Sequence, residues 1–218
     1  MTTKDDQETT NHHMGASTDE ARRIAQLSQQ IIKGIVADDS PEGIIKRRVV
    51  MATGDPDFAE LLMFCRDPVE TGVTAIHGGS NIYVDVNMAR VGISRDIRHF
   101  GGQVFCELPD HDALLDQGLT RASAGLLKAR NGLNGSIAVI GNAPSAALTL
   151  KEMVDEGCRP ALIVATPVGF VNAARSKELI RKLPVPSITT VGTKGGTPVA
   201  VAIANGLISM AVLNSCQA

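Results

Sequence analysis

The chain has 218 residues, enough for one large domain or two small ones with a substantial buried core. Its 44% hydrophobic and 20% charged residues exclude a disordered or collagen-like chain, and 21 Lys and Arg against 23 Asp and Glu lack the basic excess of a general nucleic-acid binder. Five Phe, one Tyr and no Trp leave little to build base-stacking platforms from.

Residues 1–17 are polar, unlike a signal peptide, and are expected to form a disordered tail before a domain spanning 18–218. The His12-His13 pair reads as part of that tail rather than as a metal site. From Thr18, a plausible N-cap, Ile24, Leu27, Ile31, Ile32 and Ile35 recur at helical spacing and predict an amphipathic helix to about Val36. Pro41 opens a second helix that Gly54-Asp55-Pro56 ends. Residues 57–65 and 68–75 read as short helical pieces around a turn at Asp67-Pro68. Asn81–Asp85 is β-rich, Met88–Ile93 is expected to turn back across the sheet, and Gln103–Leu108 is a second strand candidate. Residues 119–130 follow as a helix with Leu119, Ala122, Leu126 and Leu127 inward.

Three strand-helix units then succeed one another: Ser136–Ile140 with 144–156, Ala161–Ala165 with 171–182, and Ser187–Val191 with 197–213. This alternation implies βαβ crossovers and one α/β domain with a mainly parallel sheet between two helix layers. Cys65, Cys106, Cys158 and Cys216 lie far apart without a CxxC, so they read as reduced thiols in a cytoplasmic protein, with no zinc site. No stretch is expected to span a membrane, because Asn205 and Ser209 interrupt the apolar run Pro198–Leu213.

In a parallel sheet all strands end at one edge, and the loops leaving it deliver helix N-termini to a shared crevice. The first such turn is Gly141-Asn142-Ala143-Pro144-Ser145, the second Pro167-Val168-Gly169-Phe170-Val171, the third Gly192-Thr193-Lys194-Gly195-Gly196-Thr197-Pro198. Helix ends with free N–H groups, together with Lys194, are expected to bind several carboxylates or phosphates. Neither GxxxxGK[ST] nor a GxGxxG after a strand occurs, so no nucleotide cofactor is required and a large polycarboxylate fits better.

These residues resemble the precorrin-8X methylmutase family of cobalamin biosynthesis. Ile140–Ala146 resembles IGNAPTA, Pro167–Val171 resembles PVGFV, and Gly195-Gly196 precedes a small-residue helix as in the family. Thr120-Arg121 with Ser123-Ala124, Asp85-Val86-Asn87-Met88 with Gly92-Ile93, and Ser28 near the start match further family segments, in order, over residues 18 to 213. The resemblance implies a flavodoxin-like sheet and a homodimer with sites near the subunit interface. It implies no cofactor and no bound metal, although the substrate itself can carry cobalt. The implied reaction moves a methyl group from C11 to C12 of precorrin-8X or cobalt-precorrin-8, giving hydrogenobyrinate or cobyrinate.

Carried over residue by residue, the expected substrate contacts are Ser28, Asn87, Asn142, Ala143, Pro144, Ser145, Gly169, Phe170, Lys194, Gly195 and Gly196, with Arg121 orienting the substrate. The family's proton-donating histidine lies in a segment like R-[MIV]-[IV]-H, which here is Arg48-Val49-Val50-Met51. Met51 holds the histidine's place, and a thioether has no proton to give. Asn172 and Arg175 stand where the family commonly has Gly and Glu. Two other classes follow from these departures and from the fold: a protein that binds a corrin without converting it, and a phospho-accepting or nucleotide-binding flavodoxin-like domain.

Overall fold

The computed structural model describes residues 18–109 and 118–215, so the expectations for the tail and for Cys216 lie outside the described residues. Thr18 caps helix α1 (Asp19–Ile35), its hydroxyl accepting from the N–H of Ala21. Ser40 caps α2 (Pro41–Thr53) in the same way through Gly43, and Gly54, at φ 66°, ends it with the left-handed turn that a residue lacking Cβ adopts at no steric cost. The apolar stripe of α1 does not face inward as its spacing predicts. Ile32 alone is buried, packed with Val36 and Val50, while Ile24, Leu27, Ile31 and Ile35 are exposed.

Next come α3 (Phe58–Leu61), β1 (Leu62–Cys65), α4 (Pro68–His77), β2 (Ile82–Val84) and α5 (Asn87–Gly92). A 3₁₀ turn (Arg95–Phe100) leads to β3 (Val104–Phe105), and α6 (Arg121–Lys128) and α7 (Arg130–Leu133) precede the regular part. That part alternates β4 (Ile137–Ile140), α8 (Pro144–Asp155), β5 (Leu162–Ala165), α9 (Ala173–Lys182), β6 (Ser187–Thr190) and α10 (Thr197–Ser215). Two readings change here. Residues 62–65 form a strand rather than a helix, because they pair antiparallel with β6, and 87–92 form a helix rather than a return across the sheet.

The six strands lie in the order β1-β6-β5-β4-β2-β3, parallel except for the β1 edge. Without β1 this is the flavodoxin-like order 2-1-3-4-5. Every residue of β4, β5 and β6 is buried, as a sheet covered on both faces requires. Ile45, Val73, Ala89 and Ile203 belong to the core on one face, from α2, α4, α5 and α10. Leu126, Leu150 and Ile180, from α6, α8 and α9, belong to the other. Among the described residues α10 is the one helix long and apolar enough to cross a bilayer, longer than the interrupted run predicted; 56% of its apolar window is buried, and it is the central core helix of its layer.

Candidate active site

The three βα turns interlock at the C-terminal edge of the sheet. Thr166, at the end of β5, donates its N–H to Ile140 O at 2.8 Å, joining the first turn to the second. The second and third are tied by Gly196 N–H to Thr166 O at 2.7 Å and Gly169 N–H to Thr193 O at 3.1 Å. Gly141 packs on the start of α10, where an added Cβ would stand 2.9 Å from Thr197 Cα, so only glycine lets the first and third turns close.

The amides of the first turn, expected to face substrate, are taken from within. Gly141, Asn142 and Ala143 all donate to the buried carboxylate of Asp85, which follows β2. Burial pushes Asp85's pKa up, while the three N–H groups pull it down. The side chain of Asn142 stays exposed, and Ser145 Oγ pairs with Thr120 Oγ1 at 2.8 Å. Thr120 also caps α6, so this hydroxyl pair sets Arg121, the first residue of that helix, beside the first turn. Arg121 is exposed, with its Nε donating to Pro109 O at 2.9 Å.

The third turn is held by a lysine whose exposure is 0%. Lys177 of α9 donates from Nζ to Lys194 O at 2.8 Å and to Thr190 Oγ1 at 3.0 Å. Desolvation, with the nearby Arg181 charge, lowers its pKa to about 8. Lys194, expected to meet a substrate anion, instead pairs through Nζ with Asp55 at 2.7 Å and Asp57 at 2.8 Å, which raises its pKa and lowers that of Asp55. The turn is thereby tied to the segment that follows α2.

Met51 lies in the last stretch of α2 and lines a groove of about 410 Å³ between α1, α2 and α10. Arg48, one helical turn earlier, lines it with Gln29, Lys33 and Met210. Burial lowers the pKa of Arg48, and among the described residues no hydrogen bond or ion pair engages its guanidinium. Ser28 is half-buried on α1 and outside that lining, where its neighbour Gln29 is found. Asn87 opens α5, its amide oxygen accepting from Arg90 Nε at 3.0 Å.

Around the turns, Phe170 is 94% exposed and Val168 and Val171 are exposed beside it, an apolar rim that a packed loop would not carry. Asn172 adopts the left-handed φ of 62°, a conformation that favours glycine and, among other residues, asparagine. Sequence reasoning passed over Arg48, Asp85 and Lys177 as site residues. Arg48 was signalled by its i−3 spacing to Met51, and Asp85 as the one acidic residue closing the β-rich run 81–85; nothing marked Lys177, since α9's charge pattern reads as a solvated face. Among the described residues no group of three or more His, Cys, Asp or Glu side chains is placed to hold a metal.

A family model described as precorrin-8X methylmutase matches residues 23–210. The chain belongs to the precorrin-8X methylmutase family. It is 43% identical over 210 residues to the cobalt-precorrin-8 methylmutase of Methanocaldococcus jannaschii, covering 91% of this chain and 98% of that one. The corresponding protein of Methanothermobacter thermautotrophicus is 37% identical over 204 residues, with 90% and 97% covered. Among solved structures, the precorrin-8X methylmutase of Thermus thermophilus superposes with a TM-score of 0.80 at 35% identity, covering 88% of this chain and 97% of that one. These methylmutase relatives lend no support to the alternative of a corrin binder without catalysis, or to a phospho-accepting domain.

Proposed function

We propose that this methylmutase-family chain moves the C11 methyl group of precorrin-8X, or of cobalt-precorrin-8, to C12, giving hydrogenobyrinate or cobyrinate. One observation carries the reading: three interlocked βα turns at one sheet edge, rimmed by the exposed Val168, Phe170 and Val171 and flanked by Arg121. A broad ring with apolar faces and acidic side arms matches an apolar rim with a guanidinium beside it. The contacts are Asn87, Asn142, Ser145, Gly169, Phe170, Gly195 and Gly196, with Arg121 pairing a ring carboxylate.

The reaction breaks the bond between C11 and its methyl carbon and forms one to C12, with no net change of oxidation state. Holding the ring in one orientation and polarising it supply the catalysis. Met51 gives no proton, and Arg48 beside it carries a fixed positive charge in the groove between α1, α2 and α10. The domain runs from 18 to 218 and needs no cofactor. A second copy is the partner for the exposed face of α1, where Ile24, Leu27, Ile31 and Ile35 form one stripe. Cys65, Cys106 and Cys158 are free thiols, in keeping with a cytoplasmic setting.

The test is incubation with precorrin-8X and with cobalt-precorrin-8, followed by visible absorbance and mass spectrometry. An unchanged mass with the spectrum of the corrin product is expected. A bound pigment that keeps the substrate's spectrum overturns the reading.

A further inference from the structure

The crevice between the C-terminal ends of β2 and β4 is the place where the winding of the sheet reverses. Helix α5, leaving β2, buries Ala89 in the core of one face, and α8, leaving β4, buries Leu150 in the core of the other. In open α/β sheets ligands bind in such a crevice, and anionic ones sit on the unsatisfied N–H groups at the next helix N-terminus. Here the crevice already holds an anion that belongs to the chain. Asp85 is 1% exposed, and its Oδ1 accepts from Gly141 at 3.0 Å while Oδ2 accepts from Asn142 at 2.8 Å and Ala143 at 2.7 Å. Among the described residues no Lys, Arg or His pairs with it. Its charge is met by three backbone N–H groups and the positive end of the twelve-residue α8.

We propose that Asp85 is a resident anion that fixes the turn 141–145 for the methyl shift and bars the ring's own carboxylates from the β2/β4 crevice. The proposal rests on the methylmutase reading and adds to it a rule of placement. With its three donors spoken for and a negative charge behind them, the first turn offers a substrate only neutral groups. These are the exposed amide of Asn142 and the hydroxyl pair of Ser145 and Thr120. The acid side arms must therefore be held elsewhere, with Arg121 as the cationic partner beside that turn. Asp85 touches no substrate in this arrangement and acts through Asn142 and Ser145 as a positioning residue.

Asp85→Ala empties the crevice and leaves three N–H groups around a space the size of formate. Formate titrations of the parent and of Asp85→Ala, read by NMR shifts of the Gly141, Asn142 and Ala143 amides, are paired with single-turnover kinetics and with binding of the corrin product. The parent is expected to show no saturable shift, and Asp85→Ala a saturable one. Turnover by Asp85→Ala should fall about 10²-fold, the cost of a displaced catalytic turn, and formate should restore on the order of tenfold of it along the same saturation curve. The melting temperature should not follow that curve, which separates positioning from general support of the fold. Asp85→Asn keeps the volume but turns an NH₂ towards N–H donors, so it should lose turnover, with KM nearly unchanged, and formate should not rescue it. A saturable shift in the parent, no formate binding in Asp85→Ala, or formate that binds without restoring turnover would each overturn the proposal. If Asp85→Ala does not fold, undiminished turnover in Asp85→Asn overturns it instead. Should the parent leave the ring unchanged, the methylmutase reading falls, while formate binding by Asp85→Ala still decides whether Asp85 stands in an anion site.

Discussion

Gly195 lies against the carbonyl oxygen of Thr166 with no space for a Cβ between them. The neighbouring Gly196 donates its N–H to the same oxygen at 2.7 Å, so the second and third turns share a backbone contact that no side chain can enter. Gly195→Ala should force them apart, costing about 1–3 kcal/mol of stability by overpacking. Binding of the corrin product should weaken with it. Gly34→Ala, on an exposed helical position with open space around it, should leave binding intact and raise stability by up to about 1 kcal/mol. Urea unfolding and absorbance titrations on both variants compare the two effects.

Lys177 makes stability depend on alkaline pH in an unusual direction. Its folded pKa is about 8 against an ordinary 10.5, mainly because burial disfavours the charge. Between those values the unfolded chain binds a proton that the folded one has released, so this group's contribution to stability rises with pH. The full contribution is on the order of 3 kcal/mol. Lys177→Met removes the titrating group, so the difference in unfolding free energy between parent and variant should shift in the parent's favour from pH 8 to 10.5. A difference that stays flat over that range would place the lysine's pKa at its ordinary value.

The repeating half of the fold is legible because local pattern and tertiary role agree there. Ile137–Ile140, Leu162–Ala165 and Ser187–Thr190 are short strands buried on both faces, each followed by a helix opening near Pro144, Ala173 or Thr197. The first half is less legible because its elements take their form from distant partners. Leu62–Cys65 has no alternation of its own and becomes a strand only by pairing with residues 187–190. The stripe of α1 shows the opposite limit: its spacing is helical, but spacing alone does not say whether the chain's own core covers it. At the site, the three turns were visible as loops after strands. That the first turn's amides are already taken was not: Asp85, 56 residues before Gly141, reaches them only once β2 and β4 are neighbours.

Arg121 begins α6 beside the hydroxyl pair of Thr120 and Ser145, and its Nε is spent on Pro109 O. A planar guanidinium suits a carboxylate better than the ammonium of lysine does. Arg121→Ala should weaken product binding by roughly 1.5–3 kcal/mol, the range for hydrogen bonds to charged groups, and Arg121→Lys should recover only part of that. Both variants binding as tightly as the parent would remove Arg121 from the set of ring contacts.

Met51→His tests the register of α2 against the family motif. Met51 lines the groove together with Arg48, one turn away, and is followed three residues later by the helix-ending Gly54. Imidazole and thioether side chains have similar bulk and the position is half-buried, so the helix and its contact with Val50 and Ile32 should survive the exchange. A group titrating near neutrality then stands at the position that the motif resemblance gives to a proton-donating histidine. General acid–base assistance is typically worth 10²–10⁴-fold, so single-turnover conversion should quicken by at least about 10²-fold, with a pH profile that the parent lacks. Arg48 also shapes that profile, because a fixed cation one turn away disfavours the imidazolium and should move its apparent pKa below the ordinary value. Equal product binding without a faster step at any pH would mean that proton donation at residue 51 does not limit this protein.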